Sequence, residues 1–265
     1  MDITLLIPVV LGWVAGFFVN YASDVLPVTR RFSRPACPNC QTAFSWTDYL
    51  TLRACRNCGT GRSLRTWIVQ IVAVASFLNF WLTPPKSLGL PLSLIVMIYF
   101  GVIIVIDLEH RLILHPTSAF GAVLGLIAGT YLNSRINNNG FLLGLGMSLL
   151  GGLIGFGVML LLYKVGELVA RFRARKMEAS GQADDEEEAL GGGDVYLLGV
   201  LGLMIGWPFI MNVLVYGVIL GGIASAFLLI IMLARRRYAS EALMIFIPYG
   251  PYFIFSAIYV LFLQN

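Results

Sequence analysis

Charge is what this sequence has least of. Only 12% of its 265 residues are charged while 58% are hydrophobic, and the mean hydropathy is +0.82. So little charge excludes an ordinary soluble domain and points to a membrane protein. The start of the chain has neither a basic n-region nor an A-x-A-like cleavage site, so its first apolar segment is expected to be retained. Positive charge is missing from every second loop: of the 18 lysines and arginines, only Lys86 and Arg135 fall there. The formal net charge of +4 is then a topology signal, and nucleic acid is excluded as a partner. No inverted or parallel internal repeat is visible, which argues against the architecture of many transporters.

What is present is a succession of apolar segments near the ~20 residues that span a bilayer. They lie near Leu5–Tyr21, Trp67–Thr83, Pro91–Ile106, Thr117–Leu132, Phe141–Tyr163, Val195–Met211, Val213–Ala234 and Leu243–Leu263. The pattern predicts an all-α polytopic membrane protein of about eight transmembrane helices. The basic loops contain Arg30 to Arg65, Arg111, Lys164 to Lys176 and Arg235 to Arg237, and the positive-inside rule puts them in the cytoplasm with both termini opposite.

Two acids interrupt this apolar background. Asp107 ends the run Ile103 to Ile106, and Asp194 follows Gly191, Gly192 and Gly193. An acid inside a membrane helix costs about 2.5 to 3.5 kcal/mol on insertion scales, so its presence calls for a function or a cap. The topology puts both at the cytoplasmic ends of their segments. Two neighbouring carboxyls can share a proton, one drawing a proton from water while the other protonates a carbonyl, which is the chemistry of aspartic peptide hydrolysis. The glycines before Asp194 allow close approach of a neighbouring helix or an extended substrate. Gly151, Gly152, Gly155 and Gly157 read as helix-packing positions, Glu109 and Arg111 as solvated, and His110 and His115 as interfacial loop residues.

The four cysteines form a second constellation: Cys37 and Cys40, then Cys55 and Cys58, two Cys-x2-Cys pairs. Two such knuckles supply the tetrahedral thiolate set of a structural zinc ion, and the cytoplasmic assignment disfavours two disulfides. No fifth cysteine or nearby histidine suggests an open catalytic position. The metal would fix a loop with too few apolar residues to fold alone.

Taken in order, the motifs resemble those of the type IV prepilin peptidases, intramembrane aspartic proteases of the G-x-G-D kind. Gly16, Phe18, Asn20, Leu26 and Pro27 hold places of the G-S-F-L-N…R-L-P pattern. Ser33, Arg34 and Pro35 precede the first cysteine pair, Leu52 and Arg53 the second, and Ser63 and Arg65 follow it. Ile106 to His110 read I-D-L-E-H; Gly191, Gly193 and Asp194 match G-x-G-D; Pro248, Gly250 and Pro251 match the entry to the last helix.

The resemblance implies catalytic Asp107 and Asp194 with Gly191 and Gly193 in support, and zinc on Cys37, Cys40, Cys55 and Cys58. It also implies removal of the basic leader from prepilins or pseudopilins at the cytoplasmic face of the bacterial inner membrane. Many such enzymes then methylate the new N-terminus with S-adenosylmethionine. Phe17, Val25, Gln70, Tyr196 and His115 depart from the family pattern, and Gln70, standing where a glutamate is usual, bears on methyl transfer rather than on proteolysis. The chain is expected to comprise a first transmembrane helix over 1–27, a four-cysteine loop over 28–66 and a peptidase core over 67–265. That core carries an acidic linker at 176–190, whose charges are candidates for attracting a basic leader. Two other classes are consistent with the acids: a proton-coupled transporter, and a noncatalytic membrane scaffold organised by the cysteine loop.

Overall fold

A computed structural model describes residues 3–136, 140–178, 191–234 and 248–263. Among these residues there is no strand, and a single antiparallel β-bridge pairs Ala36 with Ala43. The acidic run Asp184 to Glu188 and the start of the last predicted segment fall outside the described residues. The helices are α1 (Leu6–Thr29), the short α2 (Trp46–Leu50), α3 (Leu64–Leu82), α4 (Gly89–His110), α5 (His115–Ile136), α6 (Gly140–Glu178), α7 (Gly192–Ile205), α8 (Ile210–Ala234) and α9 (Gly250–Ile258). A π-helical turn, Tyr259–Leu263, continues α9.

Each of the eight predicted segments is represented by a helix. Among the described residues, five candidate spans, in α1, α3, α4, α6 and α8, are long and apolar enough to cross a bilayer, and α7 and α9 are shorter apolar helices. This is a multi-pass membrane protein. It divides into two compact units, Met1–Pro116 and Thr117–Asn265.

In the first unit α1 packs on both α3 and α4. Its contact with α3 is close and partly polar. A Cβ on Gly12 would lie 2.7 Å from the Val74 Cα, Gly16 faces the Gln70 side chain, and the Gln70 Nε2 donates to the Trp13 carbonyl at 3.3 Å. Asn20 Nδ2 donates to the Thr66 carbonyl at 3.3 Å. Against α4 the contact is apolar, through Val19, Ala22, Leu26, Val102, Val105 and Ile106.

In the second unit α6 and α7 meet backbone to backbone. A side chain on Gly202 would strike the carbonyl of Gly151, and one on Gly155 the carbonyl of Leu198. Lipid tails give helices no hydrophobic reason to associate, so close van der Waals contact and interhelical hydrogen bonds hold them instead. Gly157 is the exception among the glycines expected to pack, since a Cβ there meets nothing within 4 Å.

The C-terminus of α7 ends three residues before the sixth predicted segment reaches Pro208. Gly206 adopts φ +82, a conformation open to glycine, and the peptide Trp207–Pro208 is cis. The α7 carbonyls orphaned by this break find donors on neighbouring helices: Asn133 Nδ2 reaches Ile205 O at 3.1 Å, and Ser148 Oγ reaches Leu203 O at 2.5 Å. Ser256 Oγ joins Val213 O at 3.0 Å and ties α9 to α8.

Gly202→Val should therefore force α6 and α7 apart, costing about 1 to 3 kcal/mol by overpacking, whereas Gly157→Val should be tolerated. Thermal unfolding in detergent, followed by loss of the monodisperse gel-filtration peak, separates the two; equal midpoints would contradict the contact.

Candidate active and metal sites

Asp107 lies in the last turn of α4 and is 5% exposed, beside the buried Ile103 and Ile106. Arg111 closes that turn in a left-handed conformation, its N–H reaching the Asp107 carbonyl at 2.9 Å. Asp194 lies in the first turn of α7 and is 8% exposed; its N–H reaches the carbonyl of the N-cap Gly191 at 3.0 Å. The two acids thus stand at opposite helix poles. Asp194 is at the positive, N-terminal end of its helix dipole and Asp107 at the negative, C-terminal end. Asp107 belongs to the first compact unit and Asp194 to the second. Among the described residues, nothing beyond the local backbone lies within 4 Å of where a Cβ would stand on Gly191 or Gly192.

Glu109 is not a freely solvated residue: Arg65, in the first turn of α3, forms an ion pair with it at 3.1 Å. The neighbouring acid of the I-D-L-E-H motif is thereby tied to another helix of the same unit.

The cysteines come together as expected. Their four sulfurs lie within 4.8 Å of one another, with Cys37 and Cys58 at 3.6 Å and Cys40 and Cys55 at 3.6 Å. Metal–sulfur bonds of about 2.3 Å give a tetrahedron with edges of about 3.8 Å, so the spacing fits a bound ion and is far too long for a disulfide. These residues can hold a metal.

The two knuckles are copies of one another, a relation visible in the sequence as Cys-x-Asn-Cys-x-Thr twice, at Cys37–Thr42 and Cys55–Thr60. Each turn is closed by an N–H from its first cysteine to its threonine carbonyl, 2.9 Å for Cys37 to Thr42 and 3.0 Å for Cys55 to Thr60. Gln41 (φ 57) and Gly59 (φ 69) occupy the same left-handed position. Each asparagine crosses to the other copy: Asn39 Nδ2 donates to Thr60 Oγ1 and Asn57 Nδ2 to Thr42 Oγ1, both at 3.2 Å. Cysteine spacing alone does not point to these asparagines and threonines; the repeat of Cys-x-Asn-Cys-x-Thr does.

Thr42 and Thr60 also approach sulfur, Cys40 Sγ at 3.4 Å and Cys58 Sγ at 3.1 Å. The Thr42 hydroxyl and backbone hold the Cys40 thiol down at about 6, and Thr60 does the same in direction for Cys58, which favours the thiolates a metal requires.

Around the knuckles, Ser45 caps α2 by accepting from the Asp48 N–H at 3.2 Å, and Arg56 grips both Asp48 oxygens at 2.7 Å. The Arg56 hydrogen bond, with that from Ser45, keeps the Asp48 carboxyl below its ordinary range. The apolar centre is small: Cys37, Phe44, Tyr49 and Cys55, with the Arg62 guanidinium 4.1 Å above Phe44 and 4.4 Å above Tyr49.

A multi-pass membrane protein with buried acids at helix ends and a four-thiolate module on one of its loops is the class that fold and sites define. The sequence profile described as the type IV leader peptidase family matches residues 94–226, a stretch containing both Asp107 and Asp194. The chain belongs to that family. It is similar to a prepilin leader peptidase/N-methyltransferase of Myxococcus xanthus (strain DK1622), 28% identical over 238 residues that cover 83% of this chain and 62% of that protein. It is also similar to one of the same description from Pectobacterium carotovorum subsp. carotovorum, 24% identical over 280 residues, 94% of this chain and 90% of that protein. The chain thus spans less than two thirds of the Myxococcus relative. No solved structure gives a significant match.

Replacing Cys37, Cys40, Cys55 and Cys58 by serine should lower the bound metal from about one ion per chain to near zero, since hydroxyls are poor substitutes for thiolates. Elemental analysis of the purified proteins reads this directly; equal metal in both would contradict the site.

Proposed function

We propose that this protein is an intramembrane aspartic endopeptidase that removes the basic leader from type IV prepilins or pseudopilins. The observation that carries the reading is the family match across residues 94–226, which includes both buried acids. The positive-inside distribution supports an inner-membrane location with the acids at the cytoplasmic face, where a basic leader would remain.

In this mechanism Asp107 and Asp194 work as one acid–base pair. The ionised carboxylate takes a proton from a water molecule as its oxygen attacks the scissile carbonyl carbon. The protonated carboxyl gives its proton to the carbonyl oxygen, producing a neutral tetrahedral gem-diol. On collapse, the carboxyl that took the water proton gives it to the departing amine as the C–N bond breaks, and the other carboxylate takes a proton from a gem-diol hydroxyl, leaving a carboxylic acid and restoring the pair. The two carboxyls titrate as a pair, and the acid and base roles belong to the pair rather than to either residue. Gly191 and Gly193 are the supporting residues of this reading, since a backbone without side chains lets an extended substrate pass close to Asp194.

Zinc is the metal proposed for the four cysteines, on the strength of an all-thiolate donor set with no position left open for substrate. Its chemistry there is structural, and no step of hydrolysis passes through it. Both relatives are named N-methyltransferases, which favours a second activity; by the family resemblance it would be methylation of the newly exposed amine, with S-adenosylmethionine as donor.

Asp107→Asn and Asp194→Asn each keep side-chain size and remove the titrating proton, so each should lower leader cleavage by at least about a hundredfold while gel filtration in detergent stays unchanged. The product mass after incubation with a prepilin reports leader loss and any added methyl group together. Cleavage near the wild-type rate by either variant would remove the aspartates from the mechanism.

A further inference from the structure

Two charges in the first unit sit in the terminal turn of a helix that disfavours them: Glu109 in the last turn of α4, a negative pole, and Arg65 in the first turn of α3, a positive pole, with Asp24 of α1 beside Arg65. Their pairing offsets this. Arg65 Nη2 binds Asp24 Oδ1, and Arg65 Nε lies 3.1 Å from Glu109 Oε1, an ion pair whose N–H is not aligned for a hydrogen bond. The second Asp24 oxygen accepts from the Tyr49 hydroxyl at 2.7 Å.

Tyr49 belongs to the cysteine module. It is 3% exposed, packs with Cys37, Phe44 and Cys55, and lies under the Arg62 guanidinium. Burial, followed by the nearby Asp24 charge, pushes its phenol well above the usual tyrosine range, so it remains a donor at every physiological pH. A continuous chain therefore runs from the cysteine core through Tyr49, Asp24 and Arg65 to Glu109, two residues beyond Asp107.

We propose that Arg65 is a positioning residue, through which the four-cysteine module fixes the last turn of α4 and hence the place of the Asp107 carboxyl. The inference rests on the peptidase reading for its effect on rate, but the clamp itself is a structural claim. An uncompensated Glu109 would oppose the α4 dipole, and the turn closed by Arg111 N–H on Asp107 O would open more often. Loss of the module would act by the same route, since Tyr49 and Arg62 are held by its core.

The experiment compares wild type with Arg65→Gln, Arg65→Lys, Glu109→Gln and Tyr49→Phe in the full-length chain in detergent, using hydrogen exchange and prepilin cleavage. Exchange at the Arg111 amide should rise about tenfold or more in Arg65→Gln, and kcat should fall about ten- to a hundredfold because a small misplacement of a reacting group is costly. KM should be unchanged, and Arg65→Lys, which keeps the charge, should recover part of both.

Removing the metal from wild type with a chelator should raise the same exchange rate and lower the same kcat, while chelation should add nothing in Arg65→Gln. Glu109→Gln, which removes the repelled charge as well as the pair, should show a smaller exchange effect than Arg65→Gln, and it serves if that variant does not fold. Tyr49→Phe should fall between wild type and Arg65→Gln. Wild-type exchange and kcat in folded Arg65→Gln, or chelation losses that add fully to those of the variant, would overturn the clamp. A wild-type protein that leaves prepilin uncut would overturn the peptidase reading instead, and hydrogen exchange would still decide the clamp.

Discussion

A bilayer offers no water to a stray polar group, so each one placed at membrane depth must find a partner inside the protein or sit at a helix end near water. The rest of this structure depends on that constraint. Where α7 breaks at Gly206, Asn133 and Ser148 meet the carbonyls left behind; Gly129 lets α5 approach α7 closely enough for Asn133 to reach, and Gly151 with Gly202 does the same for α6 and Ser148. Where α1 meets α3, Asn20 and Gln70 donate to backbone carbonyls across the contact. The same rule sends the acids to the ends of α4 and α7, where a carboxyl can exchange protons with water while its flank remains apolar.

The cysteine module obeys a different economy. Its apolar centre is a handful of side chains, too small to hold a fold by burial alone. A duplicated knuckle with crossed Asn–Thr hydrogen bonds brings four sulfurs to a metal-binding spacing, and two arginines complete the design, Arg56 on Asp48 and Arg62 over Phe44 and Tyr49. Arginine suits both tasks because its planar guanidinium pairs with a carboxylate on two edges and stacks on rings. The basic residues on which the expectation of a cytoplasmic loop rests thus also build it.

Much of this was legible beforehand because strong local patterns carried it. Apolar run length located the helices, and the Cys-x2-Cys spacing located the metal cluster. Helix ends were less legible: α6 continues past Tyr163 to Glu178 because Lys164, Glu167 and Arg171 pair along its surface, which hydropathy reads as an exit from the membrane. Hydropathy carries the sixth segment past the break after α7, since that break depends on Gly206 meeting Asn133 on another helix. Glu109 read as solvated because its partner Arg65 is far away in sequence and joins it only after α3 and α4 pack. Long-range pairing of this kind leaves no local trace in composition or period.

The central claim, that Asp107 and Asp194 act as a single proton-sharing pair, is tested most directly by the pH dependence of kcat/KM for leader cleavage by the purified wild-type protein. The rate should be bell-shaped. It should fall on the acid side as the base is protonated and on the alkaline side as the acid loses its proton, with two apparent pKa values that belong to the pair. A rate that stays flat through the carboxyl range, with folding and substrate binding unchanged, would contradict it.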